Sequence, residues 1–213
     1  MSMDIMKLKN TTNAGIKDCK EALEACGGDF DKAVAYLREK GKATAAKKAD
    51  RIAAEGAVAS YIHAGGKIGV LVEINCETDF AAKNEIFTEL CKNVAMQIAA
   101  ANPLYLDETQ VPTAELEAER EVLRNKARQE KKPEAVVEKM LEGQVKKYYG
   151  EICLVHQNYV KDPSKTIKDV VIEASASIGE KISIRRFVRY ELGAGIEKKN
   201  EDFAAEVAKT IAK

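Results

Sequence analysis

The chain has 213 residues, room for one domain of ordinary size with satellites or for two small ones. Lysine plus arginine equals aspartate plus glutamate at 34 each, so no global field draws nucleic acid or a membrane surface to it, and neither is expected as a partner. Charged residues make up 32%, aromatic residues only 6%, and tryptophan is absent, which is the composition of a solvated, helix-rich protein with a modest core.

The apolar runs fall well short of the roughly 20 residues a membrane span needs. The opening Met1-Ser2-Met3-Asp4-Ile5 has neither a basic leader nor an apolar core, so a cytoplasmic location is expected. The five cysteines at 19, 26, 76, 91 and 153 are odd in number and scattered, with no C-x-x-C pair. They read as reduced packing thiols. His63 and His156 do not complete a metal site with them, and no cofactor is expected.

Residues 1–41 read as a three-helix domain. Ile5 and Leu8 mark the first helix, which ends in Thr11-Thr12-Asn13-Ala14-Gly15. On the second, Ile16, Cys19, Leu23 and Cys26 share an apolar face that Gly27-Gly28 stops. Asp29 caps the third, where Phe30, Ala33, Val34 and Leu37 point inward before Gly41. A unit this small serves either as a docking module or as a simple cap on the rest of the fold. Residues 42–55, with Lys42, Lys47, Lys48 and Arg51, read as a basic linker, helical or extended. Such a patch could touch RNA, but in a neutral chain it is normally a solvated face.

Residues 56–111 and 150–192 read as one α+β core. Ala57–His63 and Ile68–Asn75 pair as a hairpin around Ala64-Gly65-Gly66-Lys67. That Gly-Gly-Lys lacks the spacing and following helix of a phosphate loop, and Gly193-Ala194-Gly195 fails the same test. Val70, Val72 and Ile74 alternate, so one face of their strand enters a core. The strand stops at the polar tip Asn75-Cys76-Glu77-Thr78-Asp79-Phe80-Ala81. A helix follows at about 81–101, with Phe87, Leu90, Cys91, Val94 and Ile98 at helical spacing. Asp79 lies where that helix wants an N-cap acceptor. Carrying the stripe back from Phe87 meets polar Lys83 and Asn84 before Phe80. Two readings stay open: Asp79 caps and Phe80 closes the sheet end, or the ring is offered to another molecule.

Asn102-Pro103 and Val111-Pro112 break the chain, and charged helices at about 113–131 and 134–149 follow, joined by Lys131-Lys132-Pro133-Glu134. The second carries Val137, Met140, Leu141 and Tyr148; the first offers only Leu116, Val122 and Leu123. Residues 112–149 therefore read as a projecting antiparallel helical hairpin with little shared core. Residues 152–160 are short and irregular. Asp162-Pro163-Ser164-Lys165-Thr166 leads into a helix of Ile167, Val170, Val171, Ala174 and Ile178 that Gly179 ends. Lys181–Leu192 is a strand with Ile182, Ile184, Val188 and Tyr190 on one alternation, and it must cross back to the 57–75 hairpin. Residues 193–213 close the chain with a helix bearing Phe203, Ala204, Val207 and Ile211. The expected fold is thus α+β: a three-helix domain, a small antiparallel three-stranded sheet packed with helices, a helical hairpin and a C-terminal helix. Three strands leave two edges and an uncovered face, which calls for a second copy or another protein.

Enzyme chemistry is not expected. Glu73 and Asp79 straddle a strand end with no oxyanion site or cofactor loop, and Cys76 has no histidine near it in sequence.

Several separated segments resemble the elongation factor Ts family. They are Thr12-Asn13-Ala14-Gly15-Ile16-Lys17-Asp18-Cys19-Lys20-Glu21-Ala22-Leu23 with Gly28-Asp29, then Glu73-Ile74-Asn75-Cys76-Glu77-Thr78-Asp79-Phe80-Ala81. Residues 133–150, Asp162-Pro163-Ser164-Lys165-Thr166, Gly195-Ile196-Glu197-Lys198 and Asp202-Phe203-Ala204-Ala205-Glu206 follow in the same order. The resemblance implies a ubiquitin-associated-like (UBA-like) N-terminal domain, a dimerisation-type core, a coiled-coil hairpin and a C-terminal helix. It implies a guanine-nucleotide exchange factor of translation elongation that binds elongation factor Tu and promotes GDP release. Thr78, Asp79, Phe80 and Ala81 then match the tip that disturbs the partner's magnesium site. Ala14, Gly15, Ile16, Lys17, Asp18, Gln157, Tyr159, Phe203 and Val207 match its further contacts.

Longer members carry two copies of the core; here one is found, as in short members that act as homodimers. Ala81 stands where many members carry valine, and Lys17 where many carry methionine. Two rival readings are a ubiquitin-like or peptide-binding adaptor built on residues 4–40, and an RNA-binding translation protein using Lys42–Arg51 and the hairpin. The first leaves the Thr-Asp-Phe tip unexplained, and the neutral charge and lack of aromatic platforms speak against the second.

Overall fold

The computed structural model describes residues 2–129 and 134–196. Helices α1 (Ser2–Thr12), α2 (Ile16–Ala25) and α3 (Phe30–Lys47) come first. Leu8, Cys19, Ala22, Leu23, Ala33 and Leu37 close a small core of their own. Gly27 and Gly28 take φ of 61° and 84°, a left-handed exit from α2 that a side chain would resist. The chain then reaches Asp29, whose carboxylate accepts from the Lys32 amide and caps α3. Ile16 leaves the apolar face on which its spacing puts it: it opens the first turn of α2 and is 55% exposed.

The core follows as β1 (Glu55–His63), β2 (Ile68–Cys76), α4 (Asp79–Ala82) and α5 (Glu85–Ala101). Next come the hairpin helices α6 (Thr113–Gln129) and α7 (Glu134–Ile152), then β3 (Asn158–Tyr159), β4 (Asp162–Thr166), α8 (Ile167–Ile178) and β5 (Ile182–Glu191). β2 is central, antiparallel to β1 on one side and β5 on the other. Val70, Val72 and Ile74 of β2 and Ile182 and Ile184 of β5 bury one face of the sheet. They pack in one core with Phe87, Leu90, Val94 and Ile98 of α5 and Ile167 and Ala174 of α8.

Four expectations need correction. Gly41 does not end α3, which runs on through the helix-forming residues 42–47. One interior glycine costs only about 1 kcal/mol. Gly41 lies so close to α8 that an added Cβ would already touch the Ala176 methyl at 3.6 Å. The helix predicted at 81–101 is two helices, because the Asn84 side chain accepts from the Ile86 amide at 2.8 Å and starts α5 afresh. Asp162–Thr166 is a strand, paired with Asn158–Tyr159 in a second, two-stranded sheet. In β5 the pairing steps from Glu73↔Arg186 to Ile74↔Ile184, so Arg185 is an extra residue. Such a bulge reverses the alternation beyond it. Phe187 and Arg189 turn inward, and Val188 and Tyr190 turn out.

The helical hairpin has Val137 and Leu141 packed on Leu123, with Val145 buried and Met140 only half-buried. Its base is pinned by the Glu115 carboxylate, which accepts from the Tyr105 and Tyr148 hydroxyls at 2.6 Å each. The bend at 131–133 and the final segment with Phe203 and Val207 lie outside the described residues. Among the described residues, no helix is long and apolar enough to cross a membrane. The sheet's other face shows Val58, Ile62, Leu71, Val188 and Tyr190 to solvent. Beside them Glu73 holds Arg185 at 2.8 Å and Arg186 at 2.7 Å.

Candidate functional site

β2 stops at Cys76 because its partners do; Cys76 is paired with Glu55 on one side and Ile182 on the other. The next two amides would be left without acceptors, and a side chain supplies them. Glu180, in the turn between α8 and β5, accepts the Glu77 amide at 3.1 Å and the Thr78 amide at 3.0 Å on Oε2. Its Oε1 accepts the Thr78 hydroxyl at 2.7 Å. In return the Glu77 carboxylate accepts the Lys181 amide at 2.6 Å and sits 3.3 Å from the Arg51 guanidinium. The Lys181 hydrogen bond, ahead of Arg51, holds the Glu77 carboxyl below its ordinary value.

Thr78, and not Asp79, is the N-cap of α4: its hydroxyl oxygen accepts the Ala81 amide at 3.2 Å. Asp79 is the first residue inside the turn. Its carboxylate pairs with Lys83 at 2.8 Å, and that hydrogen bond lowers its pKa, so it is ionised at neutral pH. Phe80 comes next and is 80% exposed, with the Lys83 ammonium 5.8 Å from the ring centroid. The ring therefore does not close the sheet end. Ala81 faces the opposite way and is buried in the core.

The 157–160 segment is built differently. Gln157 is 4% exposed and Tyr159 8%, so both side chains belong to the interior and the surface of this segment is carried by Asn158 and Val160. The Gln157 amide nitrogen donates to the Ala101 and Glu151 carbonyls, and its oxygen accepts from Gln97. Gln97, itself fully buried, donates also to the Asn158 carbonyl and accepts the Val160 amide. Every buried amide in this set has partners, which makes the segment rigid.

At 14–18, Gly15 precedes α2, Ile16 and Lys17 are exposed, and Asp18 pairs with Lys40 at 2.9 Å. Ala14, Gly15 and Asp18 line a cleft of about 450 Å³ facing Asp169 and Glu173 of α8. The three segments do not converge on one site: the tip is tied to the start of β5, residues 157–160 to α5 and α7, and residues 14–18 to α3.

Among the described residues the geometry offers binding groups and no activated nucleophile. The Cys76 thiol donates to the Thr78 carbonyl and is raised in pKa by burial, and burial pushes Cys91 and Cys153 up to about 11. Among the described residues no group of His, Cys, Asp or Glu could hold a metal ion. Glu180 and Lys181 escaped sequence reasoning because they meet the tip from a hundred residues away, and no local pattern marks them.

A family model described as "Elongation factor TS" matches residues 3–195. A protein named elongation factor Ts from Desulforamulus reducens is 58% identical over 97% of this chain and 95% of its own length. One from Heliobacterium modesticaldum is 54% identical over 98% of this chain and 97% of its own, and one from Geobacter sulfurreducens is 57% identical over 96% and 94%. These relatives are close to this chain in length. The chain belongs to the elongation factor Ts family, the nucleotide exchange factors of translation elongation.

Proposed function

We propose that the chain binds elongation factor Tu carrying GDP, drives GDP out by inserting Asp79 and Phe80 near the partner's Mg²⁺, and stays bound until GTP arrives. The observation that carries this reading is the 80% exposed Phe80 ring on a turn tied to the sheet by the Thr78 cap and the Glu180 carboxylate. Burying a phenyl ring in an apolar slot is worth roughly 1.5–3 kcal/mol. Each 1.4 kcal/mol or so of preference for the nucleotide-free state allows about a tenfold faster release, so the ring alone supplies up to two decades. Asp79 adds a negative charge that competes for the groups holding Mg²⁺. Without that ion the nucleotide phosphates lose their main counterweight. No bond of this chain is made or broken, so its role is one of differential binding.

A wide interface supports the tip. Exposed Ile16 and Lys17 are direct contacts at the N-terminal helices, and Phe203 and Val207 at the C-terminal segment. Gln157 and Tyr159 act by holding Asn158 and Val160 in place. The test is stopped-flow release of labelled GDP from elongation factor Tu. Phe80→Ala and Asp79→Ala each slow release while their melting matches the wild type; release at the wild-type rate by both removes the tip from the mechanism.

The second part of the reading is a homodimer through the open sheet face. Val58, Ile62, Leu71, Val188 and Tyr190 leave an apolar surface uncovered there. Sedimentation at micromolar concentration gives a dimer that Leu71→Asp splits; a wild-type monomer rules the face out as a self-interface.

A further inference from the structure

The tip rests on a four-residue helix, Asp79–Ala82. A single turn has no stability of its own, because nucleating a helix fixes several residues for one hydrogen bond. Something outside it must fix its direction, and the acceptors converge on one side chain. The Glu180 carboxylate takes three donors from Glu77 and Thr78. The Thr78 hydroxyl gives its proton to Glu180 and so presents its lone pair to the Ala81 amide. Glu180 therefore sets the rotamer that makes the cap, and the cap aims Asp79 and Phe80.

Glu180 is itself held. Gly179 ends α8 in the left-handed conformation with φ 87°, and the buried Ser175 hydroxyl donates to the Glu180 carbonyl at 2.5 Å. Its neighbour Lys181 gives its amide to Glu77 and its ammonium to the Ala49 and Arg51 carbonyls at 2.6 and 2.9 Å. The clasp thus joins the end of β2, the start of β5 and the chain entering β1. It takes over where backbone pairing ends at Cys76↔Ile182.

We propose that Glu180 is the positioning residue of the exchange tip: its carboxylate fixes the Thr78 cap and so the direction in which Phe80 is offered to the partner. The inference rests on the tip reading above. Glu180 is only half-buried, so water replaces it when it is removed and the fold survives. What is lost is preorganisation. A tip that samples several directions must be ordered by the partner during exchange, which lowers the maximal release rate more than the affinity of the wide interface.

The experiment measures GDP release from elongation factor Tu against the concentration of wild type, Glu180→Ala, Glu180→Gln, Thr78→Val and Phe80→Ala, with melting temperature and Ala81 amide exchange recorded for each. Glu180→Ala is expected to cut the maximal rate about tenfold and to deprotect the Ala81 amide, with its half-saturating concentration near that of wild type. Glu180→Gln, whose amide oxygen still accepts the two backbone amides, keeps most of the rate. Thr78→Val removes the other end of the contact and keeps the test open should Glu180→Ala unfold. It is expected to slow release as Glu180→Ala does. A slowed Phe80→Ala beside an unaffected Glu180→Ala or Thr78→Val overturns this inference and leaves the tip reading standing. A Phe80→Ala that releases GDP like wild type overturns this inference and the part of the tip reading that rests on the ring. A lowered melting temperature with an unchanged maximal rate assigns Glu180 to stability alone and likewise overturns it.

Discussion

The tip at 78–81 and the segment around Gln157 and Tyr159, both proposed above as contact regions, are built in opposite ways. The tip turns its aromatic ring outward and is anchored by carboxylates, Glu180 on the Thr78 side and Glu77 on the Lys181 side. The other segment turns its named side chains inward and is anchored by two buried amides, Gln97 and Gln157. A side chain can serve an interface by entering the partner, or by staying home and fixing the backbone that does. The first kind is legible as exposure. The second is legible only as buried polar groups with every partner in place.

The sharpest way to break that contrast is to shorten each kind of residue. Phe80→Ala should slow maximal GDP release up to about a hundredfold, since a whole ring leaves the partner's slot. Its melting curve should match the wild type, because the ring touches little of its own chain. Gln157→Ala should do the reverse. It leaves the Ala101 and Glu151 carbonyls without their donor and takes one of three partners from Gln97, for a loss of about 2–3 kcal/mol in urea unfolding. Equal stability of Gln157→Ala and wild type would show that its side chain is not an anchor, and would return it to the role of direct contact.

Acid should separate the two anchors more gently. Glu77 and Asp79 have folded pKa values held below their ordinary 4.5 and 3.8, Glu77 by the Lys181 amide and Asp79 by Lys83. Their contribution is therefore complete above those ordinary values and fades as the pH falls from them through the lowered ones. Amide protection of Lys181, whose acceptor is the Glu77 carboxylate, should decline over that window, while protection of the Val160 amide, held by Gln97, should not. Parallel decline at both places would mean that the carboxylates do not distinguish them.

The parts of the fold visible in the sequence were those set by short-range patterning. The β1–β2 hairpin follows from alternation and two glycines, α5 from its apolar stripe, and the end of α8 from Gly179. Departures arose where tertiary packing overrode a local sign. Gly41 reads as a stop but lies against α8, and one extra residue at Arg185 turned Val188 and Tyr190 to the open face. At the site, Asp79 and Thr78 are both good caps by type, and only the distant Glu180 decides between them by orienting the threonine hydroxyl. Gln157 and Tyr159 fall in an irregular stretch where no period announces which side chains point in.

The most direct test is to place 4-fluorophenylalanine at position 80 and follow its ¹⁹F resonance while nucleotide-free elongation factor Tu is added. The account predicts a resonance that starts solvent-exposed, shifts on complex formation and loses its accessibility to a soluble paramagnetic agent. A ring that stays equally accessible in that complex, from a labelled protein that speeds GDP release from elongation factor Tu carrying GDP as the wild type does, would contradict it.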